Sequence, residues 1–152
     1  MLVDFKKISS MIKTSKAKGG FEKMLNEKIK FMYCNECGNV VTYLDECGGK
    51  LVCCNEDMQE LVANTSDGAR EKHVPVINRF GSSVMVKVGS DAHPMLKEHY
   101  IKWIALVTDK CIHIKWLNPM DDPQATFKLT TLETALTAYA YCNLHGLWKT
   151  DL

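Results

Sequence analysis

The stretch Cys34-Asn35-Glu36-Cys37-Gly38-Asn39, followed by Cys53-Cys54, decides the fold of the first part of this 152-residue chain. Fifteen residues separate the two thiol pairs, so four soft sulfur donors can meet at one tetrahedral ion, either iron or zinc. Strand-like residues 40–44 and a Gly48-Gly49 turn between the pairs predict a hairpin that carries thiols at both ends. The spacing leaves the metal open, and a purely structural zinc knuckle is the alternative.

Cys53 and Cys54 are adjacent, and neighbouring side chains of a strand point to opposite faces. Both can reach one ion only if the local backbone is distorted, so we expect a departure from strand geometry here. Gly38 permits the tight turn that lets backbone N–H groups approach the thiolates. Cys47 is predicted to be a free thiol beside the filled site rather than a substitute ligand or a disulfide partner.

The composition excludes several classes of protein. Hydrophobic residues make up 46% and charged residues 24%, as in soluble globular proteins, and a net charge of +1 argues against nucleic-acid binding. No apolar run approaches the roughly 20 residues needed to cross a bilayer, so we expect no membrane partner. Seven cysteines, an odd number, with no signal-peptide pattern favour metal ligation over disulfides and a cytoplasmic location.

Residues 1–30 differ from the rest of the chain in charge. They hold eight lysines against three acidic residues, so this segment carries +5 and leaves −4 for residues 31–152. Helical spacing of apolar residues over 2–12 and 21–29 predicts a basic, helical N-terminal extension. We expect it to cover a sheet edge rather than to bind a membrane surface. A role in the dimer, docking of a donor protein and translation from an upstream start are the alternatives.

The patterning predicts an all-β chain with two domains after this extension. The first domain spans residues 31–68, a polar, turn-rich stretch at 64–70 reads as a linker, and the second domain spans residues 69–152. Val, Ile, Thr and aromatic residues predict strands in the second domain at 83–88, 100–108, 111–117, 125–129 and 136–141. Their spacing indicates an antiparallel sandwich or barrel.

Four histidines and one cysteine of the second domain are candidate metal ligands. His73, His93, His99 and His145 lie in three short segments beside Pro or Gly, and Cys142 precedes His145 by three residues. Four imidazoles and one thiolate would make a five-coordinate site suited to iron. His113 lies inside a strand pattern and is predicted to be an ordinary residue without a ligand role.

Three ordered motifs resemble those of desulfoferrodoxin, the two-iron class of superoxide reductase: Glu71-Lys72-His73-Val74-Pro75, His93-Pro94-Met95 with His99-Tyr100, and Cys142-Asn143-Leu144-His145-Gly146. The resemblance covers about residues 31–150. It implies a small desulforedoxin-like metal knuckle followed by an immunoglobulin-like antiparallel β-sandwich, with two iron ions per chain. Asn55 and Met120 stand where glycine is usual in that family, and Cys47 is additional.

The resemblance also implies the ligands of each iron. The first iron would be held by Cys34, Cys37, Cys53 and Cys54. The catalytic iron would have four equatorial histidines and an axial cysteine, namely His73, His93, His99, His145 and Cys142. Neutral imidazoles and one thiolate leave such a ferrous site with net positive charge, which attracts an anion, and the thiolate donates electron density toward the iron.

The activity implied is the one-electron reduction of superoxide to hydrogen peroxide, with re-reduction by an external donor such as rubredoxin. Lys72 would attract the anion and donate a hydrogen bond to it, and Glu71 would occupy the sixth position in the oxidised resting state. Without the motif, these two residues would read as an exposed ion pair or two solvated charges. The family also implies a homodimer through the first domains.

Two other classes of function are open at this point. One is a non-enzymatic iron electron-transfer protein with a β-sandwich binding module. The other is a zinc-stabilised, immunoglobulin-like interaction protein without visible absorption or redox activity.

Overall fold

The computed structural model describes residues 29–152, which form twelve strands and one helical turn. The predicted helices at 2–12 and 21–29, and the role expected for the extension, fall outside that range apart from Ile29. None of the helices in the described range is long and apolar enough to cross a membrane. In chain order the elements are β1 (Phe31–Tyr33), β2 (Val40–Thr42), β3 (Val52–Cys53), β4 (Glu56–Asp57), β5 (Gln59–Glu60), α1 (Arg70–His73), β6 (Pro75–Phe80), β7 (Ser83–Val88), β8 (Ile101–Thr108), β9 (Ile112–Trp116), β10 (Gln124–Lys128), β11 (Ala135–Cys142) and β12 (Gly146–Asp151).

The cysteine-rich segment folds into two small antiparallel sheets. One has the strand order β2-β1-β5, and the other is the β3–β4 hairpin. The predicted strand at residues 40–44 is present but ends at Thr42. Two of the four candidate ligand cysteines lie in the turn after β1, and the other two lie at the end of β3 and in the turn that follows it, so these two turns face each other.

The remainder of the chain is an antiparallel β-sandwich, as predicted. One sheet has the order β10-β7-β6 and the other the order β12-β11-β8-β9. A core cluster that includes Val84, Val86, Ile104 and Leu106 lies between them. The five predicted strands are all present, and the one at 83–88 has the observed bounds. Strands β6 and β12 are additional; β6 begins at a proline and β12 is mixed in polarity.

Strands β8 and β11 are buried on both faces. In β8, Ile104 and Leu106 face the space between the sheets, whereas Trp103 and Ala105 pack in a second cluster with Phe31 of the first domain. The Phe31 ring lies 5.0 Å from that of Trp103, centroid to centroid, and its full burial contributes on the order of 2 kcal/mol. The first domain therefore covers part of the outer face of the four-stranded sheet, over its central strands.

The stretch predicted as a linker is fixed to the sandwich rather than free. Lys149 N–H donates to Asn64 Oδ1 at 2.9 Å, and Asn64 Nδ2 donates back to the Lys149 carbonyl at 3.2 Å. Ser66 Oγ donates to the carbonyl of His145 at 2.6 Å. Residues 64–70 thus lie against the start of β12 and lead directly into α1.

Candidate metal centres

The four cysteines predicted to hold the first metal come together in the first domain. Their sulfur atoms all lie within 4.8 Å of one another. Cys37 Sγ is 3.5 Å from Cys53 Sγ, and Cys53 Sγ is 4.0 Å from Cys54 Sγ. A tetrahedral ion with metal–sulfur bonds of about 2.3 Å requires sulfur–sulfur distances of about 3.8 Å. The observed distances bracket that value, so the donor set fits a tetrahedral ion.

The backbone at the adjacent cysteines is distorted, as predicted. Cys54 has φ 54° and Asn55 has φ 64°, both in the left-handed region. This turn brings the Cys54 side chain round to the same side as Cys53, and an asparagine tolerates such a φ better than most residues. Gly38, at φ 75°, turns the chain after the first pair. Cys47 is an exposed free thiol outside this set.

The thiols of the first site differ in acidity. The backbone N–H of Cys37 lowers the pKa of Cys34 to about 7, because it hydrogen-bonds the thiolate. Proximity to Cys37 and Cys53 raises the pKa of Cys54 to about 12, because several thiolates cannot share this small space without a cation. A bound cation removes that repulsion, so the cluster favours one.

The four predicted imidazole ligands form a closed ring of side chains. Neighbouring ring centroids are 4.6 Å apart for His73–His93, His93–His99 and His145–His73, and 4.8 Å apart for His99–His145. Neighbouring planes are tilted by 71–81°, whereas His73 and His99 face each other across 5.9 Å at 26°. The four rings thus surround one point, and the donor atoms that all lie within 4.8 Å of one another are those of His73, His93, His99 and Cys142.

The ring nitrogens are oriented for metal binding. His73 Nδ1 lies 2.7 Å from the Ala69 carbonyl and His93 Nδ1 lies 2.5 Å from the Pro94 carbonyl, so each donates its proton there. That tautomer leaves Nε2 as an acceptor. Within residues 29–152, the buried Nε2 atoms of His73, His93 and His99 have no hydrogen-bond partner. Backbone carbonyls commonly fix metal-ligating histidines in this way.

Cys142 supplies the thiol from the protein interior. It ends β11, is fully buried in the core between the sheets, and lies within 4.8 Å of the donor atoms of His73, His93 and His99. Its sulfur is 3.6 Å from His145 Nδ1. Burial raises the pKa of the Cys142 thiol, and the backbone N–H groups of His145 and Leu144 act in the opposite direction. Those N–H groups are placed to stabilise a thiolate.

Burial favours the neutral form of three of the imidazoles. The pKa of His93 is lowered to about 4, chiefly by burial and also by repulsion from the neighbouring histidines, while the hydrogen bond to the Pro94 carbonyl acts in the opposite direction. Burial is also the largest cause of the lowered pKa values of His73 and His99. Neutral imidazoles are the form that binds a metal ion.

Helix α1 carries Glu71 and Lys72 immediately before His73. Both side chains are exposed, whereas His73 at the end of the same turn is buried. The Glu71 carbonyl accepts hydrogen bonds from Asp91 N–H at 3.0 Å and Ser90 Oγ at 3.2 Å. Gly89, at φ 82°, allows this close approach, because a Cβ there would lie 2.7 Å from the Lys72 carbonyl. The loop after β7 therefore fixes the backbone of α1.

Several residues around the ring were not singled out from the sequence. Trp148 stacks on His73 at 4.9 Å, and Gly68 lies against both of them and His145. Asn143 accepts from Tyr100 N–H at 2.9 Å and donates to the Glu98 carbonyl at 2.9 Å, which ties the Cys142 turn to the His99 loop. These residues lie close in the sequence to the motif histidines, and that proximity is the signal from which they could have been predicted.

The comparisons with known proteins match both parts of the chain. The desulfoferrodoxin family model matches residues 65–151, and the model of the desulfoferrodoxin N-terminal domain matches residues 26–61. The desulfoferrodoxin homolog of Archaeoglobus fulgidus is 46% identical over 125 residues, which cover 82% of this chain and 98% of that protein. The chain belongs to the desulfoferrodoxin family.

Two further comparisons extend this assignment. The desulfoferrodoxin of Nitratidesulfovibrio vulgaris is 48% identical over 118 residues, covering 78% of this chain and 92% of that protein. The crystal structure of the superoxide reductase from Treponema pallidum superposes with a TM-score of 0.69 and 39% identity, covering 81% of this chain and 98% of that one. Like other desulfoferrodoxins, the chain binds two iron ions, one for each donor set.

Proposed function

We propose that the chain is a superoxide reductase, which converts superoxide, one electron and two protons to hydrogen peroxide. The observation that carries the proposal is the ring of four imidazoles, closed from the interior by the Cys142 thiol, with Lys72 exposed on the same helical turn as His73. The iron held there would supply the electron, and the Cys142 thiolate would raise its electron density.

Lys72 is proposed to draw the anion to the site and to donate a hydrogen bond to it. Burial is the main cause of the lowered pKa of His99, and the positive charge of Lys72 lowers that pKa further. The same charge acts on His73. The field of the ammonium group thus extends over the open face of the ring, where an incoming superoxide would meet it.

Glu71 is proposed to close the sixth position in the oxidised resting state. Its support is its position on the same helical turn as His73, with an exposed carboxylate. The Glu71 carbonyl is held by Asp91 N–H and Ser90 Oγ, which fixes the backbone from which the carboxylate would extend.

The electron donor, assembly and compartment are proposed from the family resemblance. The donor would be a small iron protein such as rubredoxin. A homodimer through the first domains is supported by the exposed apolar side chains of Leu44 and Val52. All seven cysteines lie in the described range as free thiols, which supports a reducing cytoplasm. The proposed domain limits are residues 31–68 and 69–152, with residues 1–30 as a separate extension.

Mixing anaerobically reduced, iron-loaded protein with a stoichiometric pulse of superoxide tests the activity. We expect superoxide to disappear as the visible thiolate–iron absorption develops, with peroxide formed and no oxygen released. Oxygen release would indicate dismutation instead. Failure of a sample with iron in both sites to react would favour the electron-transfer alternative.

A further inference from the structure

A third set of metal-ligand side chains lies at the opposite end of the sandwich. Cys111 lies in the turn between β8 and β9, His113 is in β9, and Glu133 lies in the loop between β10 and β11. Strands β8 and β11 pair at Thr108 and Ala135, so their connecting loops meet there. In the sequence, Cys111 lies far from the cysteine-rich segment, and His113 is predicted to be an ordinary strand residue.

The three donor atoms form a nearly equilateral triangle. Cys111 Sγ is 2.9 Å from Glu133 Oε1 and 3.2 Å from His113 Nε2, and His113 Nε2 is 3.0 Å from the same carboxylate oxygen. The Glu133 side chain is 7% exposed and that of His113 is 27% exposed. Cys111 itself is exposed, so the triangle opens to solvent on the cysteine side.

The surrounding hydrogen bonds hold the triangle in place. Thr130 N–H donates to Glu133 Oε2 at 2.7 Å, which fixes the orientation of the carboxylate. Thr108 Oγ1 accepts from Cys111 N–H at 3.0 Å and so fixes the turn that carries the thiol. Such outer contacts are what orient the ligands of a metal ion.

We propose that Cys111, His113 and Glu133 bind a divalent cation of the zinc class, with a fourth position open to water. One thiolate, one imidazole and one carboxylate are the donor types that zinc takes, and three protein ligands leave such an open position. The two negative ligands and the dication sum to zero charge, which suits a partly buried site.

The present distances describe a protonated, hydrogen-bonded form of this site. Zinc bonds of about 2.0–2.3 Å at tetrahedral angles separate the donor atoms by about 3.3–3.6 Å. The triangle therefore has to expand by about 0.3–0.6 Å on its sides as the ion replaces the thiol proton and the neutral imidazole carries its proton on Nδ1 instead of Nε2. The exposed Cys111 turn can provide that expansion, whereas Glu133 is held by Thr130.

The site is separate from the catalytic ligands. Seven strand steps of about 3.4 Å separate Ala135 from Cys142 along β11, a distance of about 24 Å. A cation here would not touch substrate at the histidine ring. It would instead link the β8–β9 turn to the β10–β11 loop and close that end of the four-stranded sheet.

Metal analysis of the iron-loaded full-length protein tests the proposal. The protein is incubated with zinc chloride and passed through a desalting column, and zinc and iron per chain are measured by mass spectrometry. We expect about one zinc per chain in addition to the retained iron. Cys111→Ser and Glu133→Gln should each weaken zinc binding at least about 100-fold, because loss of an outer contact alone costs 10–100-fold. Cys47→Ser, which removes the other exposed thiol outside the iron ligands, should leave the zinc content unchanged.

A second measurement needs no variant. Zinc should slow iodoacetamide alkylation of Cys111, mapped by peptide mass spectrometry, while Cys47 in the same molecules reacts at its original rate. Extra zinc that is lost with Cys111→Ser, together with selective protection of Cys111, would support the site. Absence of extra zinc, its persistence in both ligand variants, or equal reactivity of Cys111 with and without zinc would overturn it.

Discussion

Gly68→Ala is expected to disturb the catalytic site through steric contact alone. A Cβ at this position would lie 3.0 Å from Trp148 Cζ2 and 3.1 Å from both His145 Cγ and His73 Cε1. Carbon atoms pack at about 3.5–4.0 Å, so each neighbour would have to move by about 0.4–0.5 Å. Trp148 and His73 are almost completely buried, so they have little room to move.

The size of the effect follows from that displacement. Overpacking of a tight site costs about 1–3 kcal/mol, which corresponds to a fall in Tm of about 3–8 °C for a chain of this size. A misplacement of 1 Å at a reacting centre costs on the order of 100-fold in rate. A shift of about 0.4 Å in two ligands should therefore slow superoxide reduction about five- to tenfold.

Pulse radiolysis, iron content and the visible spectrum of the oxidised protein provide the assay. Gly81→Ala is the matched control: it makes the same substitution in the β6–β7 turn, at φ 58° with open space around the new Cβ. The control should lower Tm through backbone strain while leaving the spectrum and the rate unchanged. If Gly68→Ala had the spectrum, rate constant and Tm of the wild type, the packing argument would be wrong.

Four further predictions follow from the site and its surroundings. Lys72→Ala should lower the second-order rate constant with superoxide about tenfold at low salt and flatten its salt dependence. The control Lys128→Ala, at the far end of β10, should change neither quantity. Equal losses in the two variants would contradict the steering role of Lys72. Cys142→Ala should abolish superoxide reduction while the first site keeps its iron and its absorption, and wild-type rates would refute the axial assignment. Met120→Gly should raise the free energy of unfolding in urea by up to about 1 kcal/mol. Met120 has φ 73°, a backbone conformation that glycine adopts more easily, and its exposed side chain gives little packing to lose. An unchanged urea midpoint would show that the backbone at Met120 is not strained. In metal-depleted protein, His73, His93 and His99 have lower pKa values in the folded than in the unfolded chain, so the unfolded chain takes up protons first as the pH falls. The urea midpoint should therefore fall as the pH drops from about 6.5 toward 4. A constant midpoint would contradict this.

The sequence predicted the strands of the sandwich better than its packing. The run from Ala135 to Cys142 shows little alternation, because β11 is buried on both faces, and the burial of its outer face depends on Phe31, more than one hundred residues away. Asn64 shows the same limit: its polar neighbours indicated a linker, but its amide pairs with Lys149 on β12. Such contacts between distant segments leave no local pattern.

The ligands themselves were predictable because their spacing and residue types are local features. Which ring nitrogen of each histidine is available to a metal ion was not predictable, since the tautomers of His73 and His93 depend on the carbonyls of Ala69 and Pro94. The group of Cys111, His113 and Glu133 was not predicted from the sequence for a related reason. Its third member, Glu133, lies twenty residues away from His113, on a loop that only the pairing of β8 with β11 brings close.

The histidine ring is a site whose folding and metal binding depend on each other. Three buried Nε2 atoms have no hydrogen-bond partner within residues 29–152, and an unsatisfied buried polar group costs about 1–3 kcal/mol. The segments that bear them are α1 and the loop between β7 and β8, and each is held by hydrogen bonds to backbone groups that do not involve the ion. The sandwich therefore keeps the imidazoles in place at a cost in stability, and an ion that satisfies all three nitrogens recovers that cost. The same ion would join three segments of the chain, namely α1, the β7–β8 loop and the turn that carries Cys142 and His145, so folding and ion binding stabilise each other.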